Sequence, residues 1–174
     1  MSDYRRARSP GGVYFFTHVT LDRRPILTQA SALDALRSAI DVTRKTKPFV
    51  IDAIVILPDH LHCILVLPTG DADFAGRWQA IKARFSRLMP QELESPTRRK
   101  RERGFWQRRY WEHLIRDDED WNRHRDYIHY NPVKHGLAAA AVDWPHSSFH
   151  RYVAQGLYPR EWGEIKESGG DFGE

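Results

Sequence analysis

An α+β fold, ferredoxin-like in its split βαβ plan, is what this sequence predicts: a four-stranded antiparallel sheet, helices on one face, and a C-terminal helix bearing the candidate catalytic residues. Three observations carry the prediction. The apolar pattern switches period along the chain in the order β-α-β-β-α-β-α. The second and third strand patterns are almost continuous apolar runs joined only by Pro58-Asp59, which describes a hairpin with both sheet faces covered. The length of 174 residues suits one domain burying ~70% of its unfolded surface, with no room for a second of that size.

Taken in order, residues 1–12 form a basic arm that ends in the breaker cluster Ser9-Pro10-Gly11-Gly12. Residues 13–20 (VYFFTHVT), dense in β-branched and aromatic side chains, make the first strand. Ala32, Leu33, Leu36, Ala39, Ile40 and Thr43 then recur at helical spacing, in a helix that ends within 45–48. Residues 49–57 and 60–67 are the second and third strands. After Pro68-Thr69-Gly70, the acids Asp71 and Asp73 suit a helix start. Phe74, Trp78, Ile81, Phe85 and Leu88 line one face of that helix, and Arg77, Lys82, Arg84 and Arg87 lie on or beside the other. Residues 90–104 show no apolar period and read as a basic flexible insert within a single domain of residues 1–162. Residues 105–116 supply the fourth strand, and Asp117 or Asp118 caps a last helix over 119–130, halted by Pro132. A partly helical segment follows over 144–152, and 163–174 is a loose acidic tail.

Composition narrows the function. Lys and Arg number 27 against 23 Asp and Glu, a net charge of +4 that suits a polyanionic partner. The single cysteine, Cys63, excludes an internal disulfide, and nothing argues for an oxidising compartment. The arginine-rich start has no apolar core of a signal peptide, and no stretch reaches the ~18 apolar residues of a membrane span, so we expect a soluble intracellular protein.

The stretch Leu57-Pro58-Asp59-His60-Leu61-His62-Cys63 places two histidines at the start of a buried strand. Alternation aims His60 and His62 at one face and turns Leu61 and Cys63 to the other, so two imidazoles converge as a metal clamp. A lone His-x-His is more often a pair of ordinary half-buried histidines; here a second constellation, 126–136 (DYIHYNPVKHG), adds weight. Within it Tyr127 and Asn131 are four apart on a helix, with Arg123 and His124 a turn earlier, although Asn131 precedes a proline and so stands at the helix end. A tyrosine ionises only near pH ~10 and needs activation to act as a nucleophile. A divalent ion on the histidines would polarise a phosphodiester, and an Asn131 amide oxygen would complete a ligand set that leaves positions open for phosphate and water. Tyr127 is equally read as a core or interface tyrosine. The interleaved Phe105-Trp106-Gln107-Arg108-Arg109-Tyr110-Trp111 suits base stacking with phosphate contact, although strand aromatics are more often core.

These residues resemble the HUH single-tyrosine transposases, and within them the REP-associated tyrosine transposases of bacteria. The likeness is carried by Tyr4-Arg5-Arg6, by 11–17 (GGVYFFT), by 55–63 (VILPDHLHC), by 105–107 (FWQ) with 110–113 (YWEH), by 126–137 (DYIHYNPVKHGL), and by 144–148 (WPHSS). It implies His60 and His62 as metal ligands, Tyr127 as nucleophile, Asn131 as third ligand, and Mg2+ or Mn2+ as cofactor. It also implies hairpin-flanked single-stranded DNA as substrate, a 5′-phosphotyrosyl intermediate and a free 3′-hydroxyl. The arm Tyr4, Arg5, Arg6 and Arg8 resembles the segment that reads bases beside the hairpin, while the 90–104 insert departs from the shortest members. The basic residues expected at DNA are these with Arg84, Arg98, Arg99, Lys100, Arg101, Arg108, Arg109 and Lys134. A cytoplasmic, nucleoid-associated protein acting as a monomer or a homodimer is expected. Three readings stand at this point: a metal-dependent single-stranded DNA endonuclease and strand transferase, a domesticated hairpin-binding protein with little cleavage, and a metal-dependent hydrolase using bound water.

Overall fold

The computed structural model describes residues 9–100 and 102–164. Its sheet contains β1 (Val13–Val19), β2 (Val50–Ile56), β3 (His60–Val66) and β4 (Trp111–Leu114), all antiparallel in the order β2-β3-β1-β4. Four α-helices lie among the described residues: α1 (Ala30–Thr46), α2 (Phe74–Leu88), α3 (Asp118–Lys134) and the short α4 (Phe149–Ala154).

Strand alternation divides the interior into two layers. Tyr14 and Phe16 of β1, with Leu61, Cys63 and Leu65 of β3, pack under Ala32, Leu36 and Ala39 of α1 and Phe74, Trp78, Ile81 and Phe85 of α2. Phe15 of β1, Ala53 and Val55 of β2 and Ile64 of β3 face the other way, onto Ile128 of α3 and Phe149 and Tyr152 of α4. Each Leu, Ile, Val or Phe among them, fully buried, stabilises the fold by ~1.5–3 kcal/mol. Cys63 thus lies in the first layer, on the face away from the two histidines. Among the described residues, helix α3 shares the second face with the turn Ala141–Asp143 and the short α4, and that face also carries His60 and His62.

Three local features differ from expectation. The fourth strand is only Trp111–Leu114, because residues 105–110 instead cross the end of β1: Leu21 donates to the Phe105 carbonyl and Gln107 to that of Val19. Phe105 and Trp106 pack at 6.0 and 5.0 Å from Phe85, so these aromatics are core. Arg77 does not sit on a solvated face; it is 1% exposed, forked onto Asp71 at 3.0 and 2.6 Å, and donates to the Pro48 carbonyl at 2.8 Å. Helix α3 runs through Pro132 to Lys134. So near a C-terminus a proline removes one ladder bond without ending the helix; His135 still donates to the Asn131 carbonyl at 3.0 Å and Gly136 stops the run at φ +67°. Asn131 therefore keeps helical geometry on the face it shares with Tyr127.

Candidate active site

His60 and His62 lie with ring centroids 4.9 Å apart on β3. Each ring is gripped through Nδ1: His60 by the Asp59 carboxylate at 2.6 Å and His62 by the Thr17 hydroxyl at 2.8 Å. A carboxylate only accepts, so the His60 proton sits on Nδ1 and the Nε2 lone pair is left for a ligand. His62 Nε2 is buried without a hydrogen-bond partner. Burial, then the neighbouring charges of His60, His135 and Lys134, pushes His62 down to about 3, which keeps it the neutral imidazole that a metal requires. Burial works to raise Asp59, but hydrogen bonds from His60 and Arg23 outweigh it and hold the carboxyl below its ordinary range.

Helix α3 supplies the opposite wall. Asp117 caps it by accepting from the Asp120 amide, and three acids occupy its first turn. From it the Tyr127 ring, 39% exposed, stands edge-on at 5.2 Å from His62 and 6.0 Å from Phe15. Lys134 Nζ lies 5.4 Å from the centre of that tyrosine ring. The His135 ring lies 5.3 Å from His60. Asn131 falls between Tyr127 and His135 on this helical stripe, wholly buried, with neither amide atom hydrogen-bonded. Buried amides are nearly always partnered, so an orphaned Asn131 amide and an orphaned His62 Nε2 fit a divalent cation. Thr17 and His135 were missed from sequence. His135 is four residues after Asn131, a signal hidden by reading Pro132 as the helix end.

Among the described residues, one His/Asp group also has ligand atoms within metal-holding range: His113, Asp120 and His124. Asp120 accepts from His113 at 2.8 Å, while the Arg116 amide and guanidinium reach the same oxygen at 3.1 and 3.2 Å. Two arginine contacts on one carboxylate oppose a cation there, so this group clamps β4 to α3.

The comparisons with known proteins bear on this arrangement. The family model described as "Transposase IS200 like" matches residues 12–131. The chain belongs to the IS200-like transposases. An Escherichia coli REP-associated tyrosine transposase is 45% identical to this transposase over 162 residues, 93% of this chain and 91% of that one. A Haemophilus influenzae protein described as "Putative REP-associated tyrosine transposase" is 49% identical over 167 residues, 94% of each chain. A solved structure of a REP-associated tyrosine transposase bound to a REP hairpin superposes with a TM-score of 0.81 at 42% identity, covering 100% of both chains.

The basic residues expected at DNA are scattered over the transposase. Lys134 joins the tyrosine. Arg108 and Arg109 are exposed just before β4, Arg108 held by Glu102. Arg84 is on α2, in the layer away from Tyr127. Arg98, Arg99 and Lys100 lie in the insert, where Glu94 takes up Arg98 at 3.0 Å and Ser95 bonds Asp22 at 2.7 Å. Tyr4, Arg5, Arg6, Arg8 and Arg101 lie outside the described residues, as do all but the first two of residues 163–174. No helix among the described residues is long and apolar enough to cross a membrane.

Proposed function

We propose that this transposase is a metal-dependent single-stranded DNA endonuclease and strand transferase that acts on hairpin, REP-like DNA through a 5′-phosphotyrosyl intermediate. The observation that carries the reading is the exposed Tyr127 ring against His62, beside a paired-imidazole site whose remaining donors lack partners. His60, His62 and Asn131 would hold Mg2+ or Mn2+, which when bound supplies Lewis-acid polarisation of a phosphoryl oxygen. Asp59 and Thr17 orient the two rings. Tyr127 Oη attacks phosphorus and loses its proton to solvent water; the new P–O bond replaces the bond to the 3′ oxygen, which departs and takes a proton from water to become a hydroxyl. The bond energy is kept in the phosphotyrosine, so the reverse attack by a 3′-hydroxyl reseals DNA. The Lys134 ammonium, a fixed positive charge over the ring, attracts the incoming phosphate. Tyr127 and His62 of one chain meet, which supports a site assembled in cis by a monomer. Likeness at 42% identity over the whole chain to a REP-associated tyrosine transposase bound to a REP hairpin supports the choice of hairpin substrate.

The test is Tyr127→Phe, which removes the hydroxyl and keeps the ring. It should bind hairpin-flanked single-stranded DNA like the parent while forming neither cleaved product nor a denaturation-resistant adduct with Mn2+. Tyr130 turns away, its ring 6.3 Å from Trp162, and should not rescue. Continued cleavage by Tyr127→Phe would mean that a metal-bound water does the work; no adduct from the parent would favour a binding protein with little cleavage.

A further inference from the structure

A row of four side chains crosses the sheet at the candidate active site. The register pairs His62 with Val55 on one side and Thr17 on the other, and Thr17 in turn with Trp111. Paired residues of neighbouring strands face the same way, so all four point to the face that carries α3. The inner end of the row is buried beneath that helix, Thr17 is half-buried, and Trp111 at the outer edge is 59% exposed. Neighbouring strands are ~4.8 Å apart, which places Trp111 roughly 10 Å from His62 with the half-buried Thr17 between them. That span is about the reach of one nucleotide from its phosphate to the far edge of its base. A single exposed aromatic is ordinary on a protein surface; one aligned with an imidazole pair and a tyrosine on an open face is placed for a planar ligand. The flanking charge suits an anionic chain, with Arg109 exposed just upstream and Arg123 exposed on α3.

We infer that Trp111 is a stacking platform for a nucleobase of the single strand, the nucleotide adjoining the bond that Tyr127 breaks. The inference rests on the function proposed above and adds a base-binding position to it. Stacking on an indole accepts any base, so the platform aligns the strand without reading its sequence, and phosphate contacts fall to the arginines.

The experiment uses the full chain and hairpin oligonucleotides in which each single-stranded base is removed in turn to leave an abasic site. Affinity is measured in chelator and adduct formation with Mn2+. Trp111→Ala should weaken binding by roughly five- to a hundredfold without altering the salt dependence, and Trp111→Tyr should recover most of the loss. One abasic position should cost the parent a similar factor and cost Trp111→Ala nothing further. Equal abasic losses in both proteins, unchanged affinity in Trp111→Ala, or a change in oligomeric state instead of affinity overturns the platform. Adduct formation read in parallel separates the two claims: the abasic coupling without any adduct leaves the platform and removes the transferase, and an adduct without the coupling does the reverse.

Discussion

At the scale of single residues, the site is a set of donors left without partners. Asn131 is the clearest case, since burying both amide atoms unpaired costs ~1–3 kcal/mol of stability. Asn131→Leu removes that cost at similar volume. The metal-free variant should therefore melt higher than the parent, while the rise in melting temperature that the parent gains from added Mn2+ should shrink, because binding to the folded state is what stabilises it. A variant that loses stability without metal and keeps the full metal-induced rise would remove Asn131 from the ligand set. His60 and His62 were legible as a convergent pair from strand alternation alone, because a period of two decides which face each side chain takes. Thr17 was not, since its partner stands 45 positions away in the chain and only the register brings them together.

At the scale of elements, α3 is held to the sheet by a polar node. Ser148 Oγ meets His129 Nε2 at 2.9 Å, accepts from the Ile54 amide at 2.8 Å and donates to the Ile54 carbonyl at 3.1 Å. Trp121 adds a bond to Asp52 at 2.8 Å. Ser148→Ala leaves His129 buried and unpaired, and should cost ~1–3 kcal/mol by denaturant unfolding and slow adduct formation without touching DNA or metal. An unchanged denaturation midpoint would show the node to be dispensable. The strand and helix patterns were readable because each carries a clear apolar signal, a helical period in α2 and a nearly continuous run in β3. What misled were residues whose meaning depends on position. Pro132 reads as a stop until its place in the last turn is known, Arg77 reads as solvated until Asp71 is found folded back over it, and residues 105–110 carry strand-like composition for a role in aromatic packing.

At the scale of the whole molecule, buried imidazoles set the response to acid. His18 is buried among Phe16, Trp78 and Tyr110, neither nitrogen is hydrogen-bonded, and burial with the charges of Lys82 and His62 holds its pKa well below 6.5. The unfolded ring takes up a proton below pH ~6.5 and the folded ring does not, so stability is lost as pH falls through that value, by up to ~1.4 kcal/mol per pH unit. His18→Phe should remove this share of the loss, seen as a flatter denaturation midpoint between pH 6.5 and 5; an identical pH slope would place the acid sensitivity elsewhere. Helices α1 and α2 brace each other on their side of the sheet, whereas among the described residues α3 has beside it only short elements, the turn Ala141–Asp143 and the six-residue α4. Its local opening should thus need less free energy than global unfolding, and its amides should exchange with deuterium ahead of those in α1, α2 and β3. A covalently loaded tyrosine would then ride on a separable cooperative unit, able to carry its DNA end away from the sheet and back while the rest of the protein stays folded.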